Sequence, residues 1–228
     1  MCGRFAQVIK HEQLVKFARE LRLQESSLQE EISFNVAPSH TVMSIVAKGD
    51  ICYFGHFRWG LIPSWMKEIP RSPMINVRAE SIFEKPSFKA SILRRRGVIP
   101  VNGFYEWRQG DKQPFYICSK KEEYLYLGMI YDLWQGDDGS YLPTMAIITT
   151  QANYLISSLH HRMPLILARE DIAGFLAPKM VDKKEIGVYL KPMLEDTLRM
   201  YPVSRAVNKV INNYPALLEE IEIEQEIV

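Results

Sequence analysis

A cysteine stands at position 2, directly behind Met1. Removal of Met1, expected before a small second residue, would leave Cys2 with a free α-amine and a thiol on adjacent carbons. The ordinary α-amine titrates near ~7.7–8.0 and the ordinary thiol near ~8.5, so both groups are nucleophilic in part at neutral pH. Such a 1,2-aminothiol suits aldehydes. The amine condenses to an imine, and the thiolate closes a five-membered thiazolidine in an intramolecular step with a high effective concentration. Three further segments concentrate reactive groups. Asn76-Val77-Arg78-Ala79-Glu80 brings together an amide, a cation and a carboxylate. Phe104-Tyr105-Glu106-Trp107 sets one carboxylate among aromatics, and His160-His161-Arg162-Met163-Pro164 places imidazole beside a cation. Taken singly, Asn76 reads equally as a turn residue, Glu106 as a surface strand position and His160 as a packing residue.

The elements that must position these groups belong to an ordinary globular chain. It has 228 residues, 47% hydrophobic and 24% charged, enough to bury a sizeable core and unlike a disordered segment. Net charge is +1, so nucleic-acid binding would have to rest on a local basic patch. No apolar run approaches the ~18–20 residues of a membrane span, and the start lacks the features of a signal peptide. A soluble, cytoplasmic, monomeric protein is expected, nucleoid-associated if bacterial. The three cysteines, Cys2, Cys52 and Cys118, have no paired spacing that suggests zinc or a redox disulfide. Cys52 and Cys118 fall in strand-like runs and read as small buried hydrophobes. No metal or organic cofactor is implied.

Leu14, Phe17, Ala18 and Leu21 recur at helical spacing, which predicts an amphipathic helix over 11–23. Strands are predicted at 41–47 and 51–59 around the turn Lys48-Gly49-Asp50, then at 97–101, 104–108, 114–119, 124–131 and 141–150. Gly110-Asp111 and Gly136-Asp137-Asp138-Gly139 supply hairpin turns. Short helices are predicted after Pro86, around 153–159 and 170–176, with a last strand at 199–203. An acidic tail (Glu219, Glu220, Glu222, Glu224, Glu226) reads as a solvated face. No repeat or linker divides the chain. The expectation is one α+β domain over 1–228, a mostly antiparallel, barrel-like twisted sheet with flanking short helices.

Together with Met1-Cys2-Gly3-Arg4-Phe5, the motifs around Asn76, Glu106 and His160 closely resemble the SOS response-associated peptidase (SRAP) family, from Cys2 to about Asn208. The resemblance implies a twisted, barrel-like β fold and a substrate, the abasic site in single-stranded DNA, whose ring-opened sugar aldehyde becomes attached to the N-terminal cysteine. Residue by residue it implies Cys2 as nucleophile and Asn76 as the amide that holds the α-amine or a sugar oxygen. Glu106 becomes a proton shuttle, and His160 an acid that opens the sugar ring. His161 fills the motif's variable position. Arg4, Arg78 and Arg162 are expected to meet phosphates, and Phe5, Pro38 and Trp65 to offer apolar surface to unstacked bases. The run Arg94-Arg95-Arg96 sits at a helix end, where dipole complementation explains it as well as DNA does. Departures from the family pattern are Gly97 where cysteine is usual, Val77 for alanine, and Tyr126-Leu127-Gly128-Met129-Ile130. Rival readings are a non-catalytic single-stranded nucleic-acid binder, another N-terminal-cysteine hydrolase or amidotransferase, and a peptidase whose best-supported meaning is removal of Met1 or self-release from DNA.

Overall fold

Gly49 adopts φ +60°, the left-handed conformation that suits glycine, and lets the chain reverse between two long apolar runs. In the computed structural model, which describes residues 2–23 and 29–223, that reversal joins the two strands on which the fold is built. Met1, and Glu224 and Glu226 of the acidic tail, lie outside the described residues. In chain order the elements are β1 (Phe5–Ile9), α1 (His11–Glu20), β2 (Glu31–Val36), β3 (Thr41–Lys48), β4 (Ile51–Trp59), β5 (Asn76–Arg78), α2 (Pro86–Arg94), β6 (Arg96–Val101), β7 (Gly103–Trp107), β8 (Pro114–Ser119) and β9 (Leu125–Gln135). They continue with β10 (Tyr141–Gln151), α3 (Tyr154–Ser157), β11 (Arg162–Pro164), β12 (Ile166–Leu167), α4 (Ile172–Leu176), α5 (Lys183–Gly187) and β13 (Leu198–Pro202).

Strand β3 pairs with β4 and β6, β6 with β9, and β9 with β10, all antiparallel. A short parallel pairing of β10 with β4, Thr144↔Arg58 and Met145↔Trp59, closes the ring. The expected α+β, barrel-like, mostly antiparallel architecture is therefore present, with parallel pairings at β4 and β5. A second sheet runs β13-β8-β7-β1-β2.

Both faces of β3 and β6, and of the central parts of β9 and β10, are buried, because each faces a different core, whereas β4 is mostly half-buried. Met43 and Ile45 of β3 join the helix residues Leu14, Phe17, Phe88, Ile92 and Phe175 in one cluster. The alternate positions Val42 and Val46 join Phe57, Trp59, Ile99, Leu127 and Met145, together with Phe5, Phe104 and Ile117 from the second sheet. This second cluster also contains Cys2. At ~25 cal/mol per Å2 of apolar area, side chains buried this completely supply the main stabilisation of the fold.

Helix α1 follows the predicted periodicity but ends at Glu20, and α2 begins at Pro86, where a missing N–H costs nothing. The arginine run that follows α2 is largely structural. Arg96 is buried and donates to the carbonyls of Ile92 and Leu93 (2.8 Å each) at the helix end, and to Phe175 (2.6 Å) and Ala177 (2.7 Å) near α4. Arg95 pairs with Asp132, leaving Arg94 as the exposed member. Cys52 and Cys118 lie in β4 and β8 as free thiols, only partly buried. Among the described residues no helix is long and apolar enough to cross a membrane.

Candidate active site

Strand β10 collects two of the motifs. On one side it pairs in parallel with β5, Ile147↔Asn76 and Thr149↔Arg78. On the other it pairs antiparallel with β11, Thr149↔Pro164 and Gln151↔Arg162. Asn76, Arg78 and Arg162 are thereby set around the last five residues of one strand. The other two motifs meet in the second sheet, where β1 pairs with β7 through Phe5↔Phe104 and Ala6↔Gly103. The Tyr105 amide donates to the Arg4 carbonyl at 2.9 Å, carrying that pairing toward Cys2 on one strand and Glu106 on the other. A Cβ at Gly103 would lie 2.5 Å from the Ile117 carbonyl and from the Tyr116 ring, so only glycine fits that approach.

The two halves are joined at Cys2. Asn76 Nδ2 donates to the Cys2 carbonyl at 2.9 Å. Asn76 Oδ1 is buried with no hydrogen-bond partner among the described residues. Cys2 is fully buried, which pushes its thiol well above the ordinary range, and the Glu106 carboxylate pushes it the same way. Glu106 is itself buried, and its Oε1 accepts from the Trp107 amide at 3.3 Å. His160 Nδ1 accepts from the Arg162 amide at 2.9 Å, leaving Nε2 to carry the proton of the neutral ring. Burial lowers the proton affinity of His160, the neighbouring His161 adds to that, and Glu106 opposes it. The His161 ring is exposed and stacks on His160 at 4.3 Å. Cys2 is thus linked to Asn76 by contact and to Glu106 by charge, and Glu106 is linked to His160 by charge.

The residues expected to meet DNA divide into two groups. Arg78 is exposed, and lines an open cavity of about 400 Å3 with Gln151, Ala152, Ser157, His161 and Arg162. Trp65 is 67% exposed and Pro38 half-buried. Phe5 requires a correction. It is fully buried against Trp59, ring centroids 5.0 Å apart, so it supports β1 and has no face to offer a base. Arg162 is buried and Arg4 partly buried, and both are tied down by protein partners. Arg4 Nη1 donates to Asn35 Oδ1 and the Val207 carbonyl, both at 2.7 Å, and the guanidinium lies 5.9 Å from the Trp107 ring. Arg162 forms a bidentate pair with Glu80 at 2.7 and 2.9 Å and also donates to Thr149 Oγ1 at 3.2 Å. Thr149 and Asn35 are supports that sequence reading passes over, because a threonine in a strand and an asparagine before Val-Ala-Pro carry no sign of their partners. No group of three or more metal-ligating side chains is present among the described residues.

The model of the family described as SOS response associated peptidase (SRAP) matches residues 1–210. "Abasic site processing protein YoqW" of Bacillus subtilis (strain 168) is 37% identical over 224 residues, covering 96% of this chain and 99% of its own. "Abasic site processing protein HMCES" of Gallus gallus is 36% identical over 193 residues, 73% of this chain and 57% of its own. A crystal structure of a protein from Bacteroides thetaiotaomicron superposes with a TM-score of 0.83 at 29% identity, over 97% of this chain and 100% of that one.

Proposed function

The chain belongs to the SOS response associated peptidase (SRAP) family, and from that premise we propose that it processes abasic sites in single-stranded DNA by covalent capture on Cys2. The observation that carries this reading is the Asn76 contact on Cys2, made where Glu106 acts on both Cys2 and His160. A peptide bond at the Cys2 nitrogen removes its nucleophilic lone pair, so Met1 must leave first.

An abasic deoxyribose is mostly a closed hemiacetal, and only its open form presents an aldehyde. His160, with its proton on Nε2, donates to the ring oxygen as the C1′–O4′ bond breaks, and the C1′ hydroxyl gives up its proton. The Cys2 amine then adds to C1′, giving a carbinolamine that loses water to leave a C=N bond. Glu106 moves the protons between the amine and the departing hydroxyl. The Cys2 thiolate adds to the same carbon and the nitrogen takes up a proton, closing the thiazolidine. The sum is aldehyde plus aminothiol giving ring plus one water. Asn76 holds the backbone of residue 2 through its Nδ2, and its buried Oδ1 is the acceptor for the α-ammonium or a sugar hydroxyl.

The test is a denaturing gel of the protein mixed with single-stranded DNA holding one abasic site. Wild type should give a stable adduct and Cys2→Ala none, with peptide mass analysis finding Met1 absent and the sugar remnant on residue 2. Equal adduct from the alanine variant would falsify the assignment of Cys2. Strong binding of intact single strands with no adduct from wild type would favour a non-catalytic binder.

A further inference from the structure

The loop between β10 and β11 leaves one strand and returns to its neighbour. The Ala152 amide donates to the His161 carbonyl at 3.0 Å, just beyond the last strand pair, Gln151↔Arg162. His160 lies inside that loop, and its backbone amide donates to the Ile156 carbonyl at 3.0 Å. Ile156 belongs to α3, a helix of only four residues. So short a helix cannot hold itself, because nucleation in isolation is unfavourable. Its place comes from the core, where Ile156 and Leu159 are buried, and from Asn153 at its N-cap. Asn153 is itself buried, and each of its polar groups has a protein partner. Its Oδ1 accepts from the Ile156 amide, and its Nδ2 donates to the Met193 carbonyl in the segment leading to β13, both at 3.0 Å. Its own amide donates to Met163 Sδ on β11 at 3.4 Å, and its carbonyl accepts from the Ser157 amide at 2.9 Å.

An asparagine at a helix start ordinarily satisfies one orphan amide and nothing more. Here its amide nitrogen also reaches out of the loop to Met193, and the residue its oxygen holds is the one that holds His160. Two hydrogen bonds therefore run in line through Ile156, from Asn153 to the His160 backbone, while the Arg162 amide fixes the ring through Nδ1. We infer that Asn153 is a positioning residue for His160, setting the imidazole where its Nε2 proton meets the ring oxygen of the sugar. This rests on the proposal that His160 opens the closed sugar. Removal of the Asn153 oxygen lets Ile156 and the His160 backbone shift together. Cys2, Asn76 and Glu106, carried by other elements, keep their places. The loss then falls on proton delivery to the sugar and spares attack by the amine.

A double-mutant cycle with His160→Ala tests the inference, reading the rate of adduct formation at saturating strand. One substrate is single-stranded DNA holding an abasic site. The other carries an acyclic aldehyde linker, which lacks the hydroxyl that closes the sugar ring. Asn153→Ala should slow reaction of the abasic strand about 10- to 100-fold, as a misplacement of ångström size does, and leave the acyclic strand near wild type. In the His160→Ala background the same change should cost nothing further. Asn153→Ser keeps an oxygen for the Ile156 amide and should restore most of the rate. Asn153→Gly starts a helix nearly as well as asparagine but has no such oxygen. It should be as slow as Asn153→Ala with a smaller fall in melting temperature, and it serves in place of the alanine variant if that one does not fold. Equal loss with and without the imidazole, wild-type rates for the alanine and glycine variants, or no rescue by serine overturns the positioning role. Failure of the underlying reading looks different: His160→Ala would itself slow both strands alike, and the cycle would still decide whether Asn153 acts through the ring.

Discussion

Glu106 reaches two groups and pushes both in one direction: its negative charge favours the protonated form of the Cys2 thiol and of the His160 ring. Replacing it with the isosteric amide should therefore lower both. Glu106→Gln should move the His160 titration, followed by its imidazole NMR signals, further below the ordinary histidine value of ~6.5. His161→Ala should move it up, since the neighbouring His161 is one of the causes that depress it. The two shifts have opposite signs, so a nonspecific loosening of the site cannot mimic both. A His160 titration unmoved in Glu106→Gln would mean that the carboxylate does not act on the ring, and its role as proton carrier would fall with it. At the same scale, a buried, proton-holding thiol is a poor nucleophile, which fits an ordered sequence in which the amine attacks first and the thiol second.

At the scale of elements, two departures from the family pattern prove to be one packing solution. Gly97 on β6 stands opposite Met129 on β9. A Cβ at 97 would collide with Met129 Cε and would lie 2.9 Å from Val46 Cγ1 and 3.2 Å from the Ile45 carbonyl. The methionine thus fills space that a side chain at 97 would need. Gly97→Ala should destabilise the protein by roughly 1–3 kcal/mol in urea unfolding, and less when Met129 is replaced by leucine; full additivity would show the positions to be independent. The same distinction explains what could be read from sequence. Strands β3, β4, β8 and β10 were legible because turn residues bound runs rich in apolar, aromatic and β-branched side chains. Strands β5 and β11 have three residues each, too few for any periodicity, and exist because β10 supplies their hydrogen bonds. Their residues Asn76, Arg78 and Arg162 were legible only as motifs, through chemistry and resemblance. Phe5 shows the converse failure. An aromatic beside a reactive cysteine reads as a base platform, and only the packing of β1 on Trp59 reveals it as core.

For the whole molecule, a net charge of +1 means that affinity for a polyanion depends on which arginines face outward. Folding turns several of them inward: Arg4 onto Asn35 and Val207, Arg96 onto four carbonyls, and Arg162 onto Glu80 and Thr149. Arg78 is left exposed at the cavity it shares with His161, and should carry a phosphate contact directly. Arg78→Ala should weaken binding of every single-stranded sequence alike and reduce the slope of log K against log salt by about 0.7, the signature of one lost contact on a single strand. Arg162→Ala should behave differently. Its main effect should be on folding, roughly 1.5–3 kcal/mol, the range for hydrogen bonds to a charged group. The larger figure for fully buried pairs does not apply, because the Glu80 side chain is 49% exposed and regains water when its partner is lost. Its salt slope should change less than that of Arg78→Ala, while adduct formation slows because the Arg162 amide that orients His160 sits on a loosened β11. Salt titrations and urea unfolding on both variants separate the two roles. Equal changes in salt slope with unchanged stability would place Arg162 on the phosphate path, with its Glu80 pair released on binding. The contrast follows from the fold: β10 sets both arginines at one strand end, and β11 directs one of them into the protein.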